Sequence, residues 1–140
     1  MSLLYRKERD FQGIIKSWYK SNLLHRDNDL PAIIRYNSNN NIINKGYYIN
    51  GKRHRENGPA VIGYSPNGRP CLLEFYKNDV LHNDLGPAII EVNNGISSSR
   101  YLLNGSYVSY EQHRKKYIQP ILDNYFDEIN LTNIVFDYEF

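Results

Sequence analysis

The chain has 140 residues and a net charge of +2, with 41% apolar and 14% aromatic residues, which excludes a disordered chain and favours one β-rich domain. A single cysteine, Cys71, excludes an internal disulfide, and we expect it to be a packing residue of a strand. No stretch is apolar enough to span a bilayer or to act as a secretory signal, so we expect a cytoplasmic protein.

One phrase recurs along most of the chain. Residues 1–17 contain half of the recurring unit, from Gly13 onwards, and are expected to cap the segment that follows. Residues 18–105 then repeat the phrase as WYKSNLLHRDNDLPAII from Trp18, YYINGKRHRENGPAVI from Tyr47 and FYKNDVLHNDLGPAII from Phe75. The Pro-Ala pairs of the three copies, at Pro31, Pro59 and Pro87, fall 28 residues apart. This period predicts an array of small equivalent units within a single domain.

Each unit has the pattern of a β-hairpin. An aromatic strand leads into a turn, which in the second unit is Asn50-Gly51, a pair that tolerates the positive φ angles of a type I′ turn. The first and third units carry Ser21-Asn22 and Asn78-Asp79 at this place. A bend containing Pro then precedes a second, apolar strand. The chain is therefore predicted to be mainly β, an elongated antiparallel β-meander of about three 28-residue hairpin repeats.

Alternation along the second strand predicts two unlike faces of the sheet. Ala60, Ile62 and Tyr64, with their equivalents in the other units, should form the buried face. The opposite face is half polar and should be partly wet. We expect a partner to contact the apolar and aromatic residues of this second face, which are Trp18, Ile33, Tyr47, Val61, Phe75, Ile89 and Tyr101.

Residues 106–140 depart from the repeat and are expected to form a C-terminal cap. A fourth aromatic strand begins at Tyr101, but no His and no Gly-Pro-Ala follow it. Ser109 and Gln112 have capping-box spacing, which predicts a helix of about ten residues that ends at Pro120. The run ILDNYFDEI then predicts a second short helix, and TNIVFDYEF predicts a final strand.

Charge is distributed unevenly between the array and the tail. Residues 1–119 hold all 17 Lys and Arg against 10 acids, while residues 120–140 hold 5 acids and no base. Two interpretations follow: the acidic tail folds back on the basic array and covers an open sheet edge, or the array offers a basic surface to an acidic partner. The residues of that basic surface are Lys52, Arg53, Arg55, Arg114, Lys115 and Lys116.

Each unit also carries a histidine followed two residues later by an acid. The pairs are His25 with Asp27, His54 with Glu56, and His82 with Asp84. Such a pair suits a metal ligand set or a general acid/base, but successive hairpins lie about 10 Å apart, too far for the three histidines to share one ion. Recurrence in every unit favours a structural role, in which the acid accepts backbone N–H groups and the imidazole packs across its hairpin. We therefore predict no catalytic residue, no metal and no cofactor.

The unit YYINGKRHRENGPAVIGYSPNG resembles the MORN-type repeat, and more closely a longer variant with HRENGPA that is found in uncharacterised phage and large-virus proteins. The resemblance covers residues 14–105. It implies an elongated, curved β-meander that serves as a scaffold binding proteins or membrane lipids. Two departures are Asp29-Leu30-Pro31 in place of Gly-Pro in the first unit, and Asn83 in place of Arg26 and Arg55 in the third.

These observations together predict a non-enzymatic protein-interaction or scaffold module. If the protein is viral, its expected partner is a host factor or a component of the virion. The basic, tyrosine-rich array supports nucleic-acid binding as the alternative. Binding to a membrane surface through the Lys and Arg clusters is a second alternative. The open ends of a sheet also allow self-association.

Overall fold

The computed structural model describes residues 2–124, and strands dominate this part of the chain. Its fourteen strands are β1 Leu4–Arg9, β2 Gly13–Lys20, β3 Leu23–Leu24, β4 Ile33–Asn37, β5 Ile42–Gly46, β6 Tyr48–Ile49, β7 Lys52–Arg53, β8 Val61–Tyr64, β9 Pro70–Glu74, β10 Tyr76–Lys77, β11 Val80–Leu81, β12 Ile89–Asn93, β13 Ile96–Leu103 and β14 Ser106–Val108. The expected mainly β architecture is confirmed.

The main sheet is an antiparallel meander. Its strands follow the order β1, β2, β4, β5, β8, β9, β12, β13, β14, and β3 pairs with the end of β2. The pairs β6–β7 and β10–β11 form two small sheets beside the main sheet. The equivalent short strand of the first unit, β3, pairs with β2, and that of the last unit, β14, pairs with β13. Each repeat thus contributes two strands to the main sheet and one short hairpin next to it.

The short hairpins share one turn geometry. Both central residues have positive φ in every unit, as a type I′ turn requires. The φ angles are 50° and 62° at Ser21-Asn22, 49° and 80° at Asn50-Gly51, 52° and 68° at Asn78-Asp79, and 51° and 80° at Asn104-Gly105. The type I′ prediction for Asn50-Gly51 is therefore confirmed, and the fourth unit has the same turn without the rest of the repeat.

Successive short hairpins are joined through their backbones. The N–H of Gly51 donates to the carbonyl of Leu24 at 2.8 Å, and that of Asp79 donates to Arg53 at 2.9 Å. Gly105 donates to Leu81 at 2.9 Å in the same way. Each turn is therefore held by the return strand of the unit before it, which makes neighbouring repeats mutually dependent.

The core lies where the short hairpins meet the sheet. Ala32, Ala60 and Ala88 are fully buried there, and Ala60 packs between Tyr47 and Tyr76. Ala88 belongs to a second cluster with Ile89 and Leu102. Each alanine buries only a methyl group, so the hairpin and the sheet can pack closely at this position.

The predicted division into a buried and a wet face is wrong at several positions. Ile33, Tyr47 and Ile89, expected on the less buried face, are buried, because the neighbouring hairpins pack against them. Ile62 and Tyr64, expected on the buried face, are only half-buried. Strand alternation assigns residues to opposite faces correctly, but it does not show that the row of hairpins covers the face of Ile33.

The N-terminal segment adds one strand at the edge of the sheet. β1 runs antiparallel to β2 in continuous register, from Leu4 opposite Tyr19 to Arg9 opposite Ile14. All six of its residues are exposed. Asp10 closes the turn between the strands by accepting the N–H of Gln12 at 2.8 Å.

The array ends in a helical segment that begins at the predicted place. Ser109 is the N-cap, and both hydrogen bonds of the capping box with Gln112 are formed, at 3.1 and 2.8 Å. The α-helix Tyr110–His113 continues as a π-helical segment, Arg114–Ile118, and helix resumes over residues 119–124.

Pro120 does not end the helix, contrary to prediction. In the π-helical segment the N–H of Gln119 reaches back to the carbonyl of Arg114, which widens the turn. We attribute the tolerance of Pro120 to this wider turn, which relieves the clash between a proline ring and the preceding carbonyls. Residues 121–124 of the predicted second helix are helical without a break. The rest of that helix, the predicted strand TNIVFDYEF and most of the acidic tail lie outside the described residues.

Candidate interaction site

Each of the three repeat histidines joins its own repeat to the next one. The Nδ1 atom of His25 accepts the backbone N–H of Asn50 at 3.0 Å, across 25 residues of sequence. The corresponding bonds run from Asn78 to His54 at 3.2 Å and from Asn104 to His82 at 3.0 Å. In every case the donor is the first residue of the following turn.

These contacts fix the tautomer of the imidazole. A backbone N–H can only donate, so Nδ1 is unprotonated and Nε2 carries the hydrogen. The Nε2 atoms then donate to the acids two residues on: His25 to Asp27 at 2.9 Å, His54 to Glu56 at 2.8 Å and His82 to Asp84 at 2.7 Å. The bond from His25 lowers the pKa of Asp27 below its usual value, against a smaller opposing effect of burial.

This arrangement differs in detail from the predicted structural role. The imidazole reaches the next repeat instead of packing across its own hairpin, and the acid is bonded to the imidazole. Both ring nitrogens are occupied, so neither nitrogen is free to exchange a proton with a substrate in this arrangement. Within residues 2–124, no group of three or more His, Cys, Asp and Glu side chains could hold a metal ion. Cys71 is half-buried in β9.

The residue after each histidine covers the aromatic ring of its unit in the first two repeats. The guanidinium of Arg26 lies 3.8 Å from the ring centre of Trp18, and that of Arg55 lies 3.8 Å from the ring centre of Tyr47. Nη1 of Arg26 donates to the carbonyl of Pro31 at 3.2 Å, and Nη1 of Arg55 donates to that of Pro59 at 3.3 Å. Each arginine therefore closes its bend and stacks on its ring.

Arg55 also reaches the preceding repeat. Its Nε and Nη2 atoms donate to the two carboxylate oxygens of Asp29, at 2.7 and 2.9 Å. Asp29 lies in the bend of the first unit, which has one residue more between histidine and proline than the other bends have. The bidentate bond lowers the pKa of Asp29 and raises that of Arg55.

The third repeat has no arginine at this position, and the surface opens there. Nδ2 of Asn83 donates to the carbonyl of Pro87 at 3.0 Å and so replaces the arginine at the bend. The shorter side chain does not stack on the ring of Phe75, and no other cation or aromatic ring within residues 2–124 does so. A groove of about 680 Å³ lies between the second and third bends, compared with about 270 Å³ between the first and second. We call the larger one the 2–3 groove; its floor and walls include Phe75, Ile90, residues 55–58 and residues 82–87.

A histidine from the helical cap covers the fourth aromatic ring. The ring of His113 lies 5.1 Å from that of Tyr101, and its Nε2 lies 2.8 Å from the carbonyl oxygen of Asn83, to which it donates. The residue is only 1% exposed. The sequence pattern had suggested no role for His113. The fourth unit has no residue equivalent to Arg26 and Arg55, and this was the available signal that another element could cover the ring of Tyr101.

The seven predicted partner-contact residues do not form one surface. Ile33, Tyr47 and Ile89 are buried and cannot reach a partner without local opening. Trp18, Val61 and Tyr101 are half-buried, and each packs against other residues of the chain. Phe75 alone among the seven lines the 2–3 groove.

Two of the six predicted basic-surface residues are committed to ion pairs. Arg53 donates to Asp79 at 2.8 Å and lies 4.1 Å from the ring centre of Tyr76, while Arg55 is bound to Asp29. The Arg53 side chain lowers the pKa of Asp79 in turn. Lys52, Lys115 and Lys116 are exposed and Arg114 is half-buried.

The structure adds a surface that the sequence analysis expected to be buried. Cross-strand neighbours on one face of the main sheet form a half-buried line of side chains, which we call the cross-strand row. Its members are Lys16, Ile34, Lys45, Ile62, Leu73 and Ile90. The ammonium groups of Lys16 and Lys45 lie 4.9 and 5.5 Å from the ring centres of Tyr36 and Tyr64. This face therefore combines apolar area with positive charge.

Residues 2–124 contain no helix with the length and apolar character that crossing a membrane requires. Comparison with protein families, curated proteins and solved structures finds no family model, no curated relative and no solved structure that matches this chain.

Proposed function

We propose that this protein is a non-enzymatic interaction module built from MORN-like repeats, and that it binds a partner protein through the cross-strand row. One observation carries the proposal: the residues best suited to catalysis are used to hold repeats together. Both nitrogens of His25, His54 and His82 are engaged in links within or between repeats. What the fold leaves accessible is a broad sheet face.

The composition of the cross-strand row supports a protein partner. Ile34, Ile62 and Ile90 supply apolar area that is only partly covered by their neighbours. Lys16 and Lys45 lie on neighbouring strands of the same row and favour a partner surface with acidic groups around an apolar centre. The resemblance of the unit to repeats of phage and large-virus proteins supports a host factor or virion component as the partner, met in the cytoplasm.

Nucleic-acid binding is the second candidate, and the Lys–Tyr pairs favour it. Lys16 over Tyr36 and Lys45 over Tyr64 place cations next to aromatic rings, the combination that pairs phosphates and stacks bases. The commitment of Arg53 and Arg55 to ion pairs removes two of the cations on which the sequence analysis based this alternative.

Capture experiments with matched variants test the proposal. The tagged full chain is compared with a double variant, Ile34→Thr and Ile62→Thr, which removes apolar area from the row but keeps β-favouring residues. Ile96→Thr is the control, because Ile96 is 75% exposed and lies opposite Asn93, outside the row. We expect a partner polypeptide to be retained by the wild-type chain and the control, and lost by the double variant. Retention that nuclease abolishes would support the nucleic-acid alternative, and equal capture by all three chains would contradict the proposed surface.

A further inference from the structure

Each unit begins with an aromatic residue, and within residues 2–124 a cationic or imidazole side chain lies over three of the four rings. Arg26, Arg55 and His113 lie over the rings of Trp18, Tyr47 and Tyr101, at 3.8, 3.8 and 5.1 Å. Among residues 2–124, no cationic or aromatic side chain stacks on Phe75, the third ring in the series. The repeat itself therefore shows which kind of group fits over this ring.

The 2–3 groove lacks an equivalent of the Arg55–Asp29 ion pair, because the residues at both corresponding positions differ. Between the first and second units, Arg55 covers the ring and binds Asp29 of the preceding bend. The third unit has Asn83 in place of the arginine, and the second bend is one residue shorter, with Gly58 before its proline. Loss of the guanidinium and of the carboxylate that would bind it leaves a space of about 680 Å³.

The charges around the 2–3 groove favour a cation. Glu56 and Asp84 line it, with side chains 66% and 38% exposed, and each accepts a hydrogen bond from the histidine two residues before it. Lys77 is the opposing cation of the lining, while the charge of Arg55 is paired with Asp29. Among the residues that the structure describes, two carboxylates thus face one ammonium group that has no ion-pair partner.

We propose that the 2–3 groove binds the guanidinium group of an arginine in a partner peptide. The guanidinium stacks on the face of Phe75, as Arg55 does on Tyr47, and donates to the carboxylates of Glu56 and Asp84. Leu85, which is 74% exposed beside the groove, provides an apolar contact for the methylene stem of the ligand. This inference rests on the proposed function, since it names the chemistry of one contact within a protein partner.

A peptide titration followed by NMR tests the inference. The probe is the acetylated and amidated pentapeptide Gly-Gly-Arg-Gly-Gly, added to the 15N-labelled full chain. We expect amide shifts concentrated at Phe75, Asn83 and Leu85. The same peptide with citrulline, which keeps the shape of arginine without its charge, should bind about tenfold more weakly, and a lysine peptide should also bind more weakly because it lacks the planar group. Equal affinity for the citrulline peptide would overturn the proposal.

Two variants locate the binding. Asn83→Arg gives the third unit the residue of the first two, and its own guanidinium should occupy the ring face and reduce peptide affinity at least about tenfold. The fold should persist, because Arg26 and Arg55 make the same bend contact elsewhere. Phe75→Leu keeps apolar volume and removes the ring, and should also weaken binding. Unchanged binding in both variants would contradict the proposal.

The capture experiment separates this inference from the function on which it rests. If a partner is retained through the cross-strand row but Asn83→Arg and wild-type chains retain it equally and no arginine peptide binds, only the groove assignment fails. If the arginine peptide binds at Phe75 while no protein partner is captured, the groove assignment holds and the proposed function fails.

Discussion

His54 of the second repeat accepts the backbone N–H of Asn78 in the third repeat through Nδ1, at 3.2 Å. The donor residue is the first central residue of the type I′ turn and has a φ of 52°. The contact recurs between the other repeats. It explains why one histidine is kept in each unit although no two histidines meet.

Replacing the histidine should cost stability. His54→Ala removes the acceptor of the exposed Asn78 N–H together with a largely buried imidazole, and we expect a loss of about 0.5–1.5 kcal/mol in the free energy of unfolding. Urea denaturation followed by circular dichroism measures it. Glu56→Gln is the matched control, since an amide oxygen still accepts from Nε2, and its loss should be under about 0.5 kcal/mol. Equal losses for the two variants would show that the carboxylate, and not the link to the next repeat, stabilises this region.

The bidentate pair between Asp29 and Arg55 should contribute modestly. Asp29→Asn keeps the shape and the left-handed backbone, for which φ is 54°, but removes the charge. Both groups are partly exposed, so we expect a loss of about 0.5–1 kcal/mol. The loss should shrink in about 1 M NaCl, where the Debye length falls to about 3 Å. A loss that is the same at low and high salt would contradict an ionic contribution.

Low pH should destabilise the fold, because it protonates aspartates that accept hydrogen bonds from neighbouring side chains. Hydrogen bonds from His25, Arg55 and Arg53 lower the pKa values of Asp27, Asp29 and Asp79 respectively from the ordinary 3.8. Groups with lowered folded-state pKa values stabilise the fold above the unfolded-state value and lose this contribution as pH falls through the folded-state value. The thermal midpoint should therefore decrease when the pH is lowered below about 4. In Asp29→Asn this decrease with pH should be smaller. An identical pH profile for the variant would exclude Asp29 as a contributor.

Two glycines with the same backbone angle separate turn strain from packing between repeats. Gly51 has a φ of 80°, and a Cβ there would lie 3.2 Å from Cδ2 of Leu23 in the preceding hairpin. Gly68 has a φ of 79° with nothing within 4 Å. Gly68→Ala should cost about 1 kcal/mol from strain alone, and Gly51→Ala should cost more. Equal changes in urea midpoint would mean that Leu23 moves aside freely.

Local rules made the turns and the helix start predictable. Asn50-Gly51 and the Ser109–Gln112 box are signals contained within a few residues, and both formed as expected. The burial of Ile33 and Ile89 was missed because it depends on the hairpins that lie beside the sheet. The persistence of helix past Pro120 was missed because a π-helical turn has no signal in a single sequence.

The site was less predictable than the fold, for a related reason. Spacing paired each histidine with its acid but could not show the bond to a turn 22–25 residues further on. The departures Asp29 and Asn83 were visible as irregularities of the repeat. Only their positions in space show that Asp29 adds an ion pair between units and that Asn83, unlike Arg26 and Arg55, does not cover the ring of its unit.

The histidine links give the array a direction. Every imidazole holds the turn that comes after it, so a repeat needs a successor, and the last complete repeat finds one in the abbreviated fourth hairpin, over which His113 of the helix closes. An additional repeat is therefore most easily accommodated between two existing repeats. A duplicate of residues 47–74 inserted before Phe75 would form the histidine link on each side and leave both caps untouched, which gives repeats of this kind a simple route to longer forms.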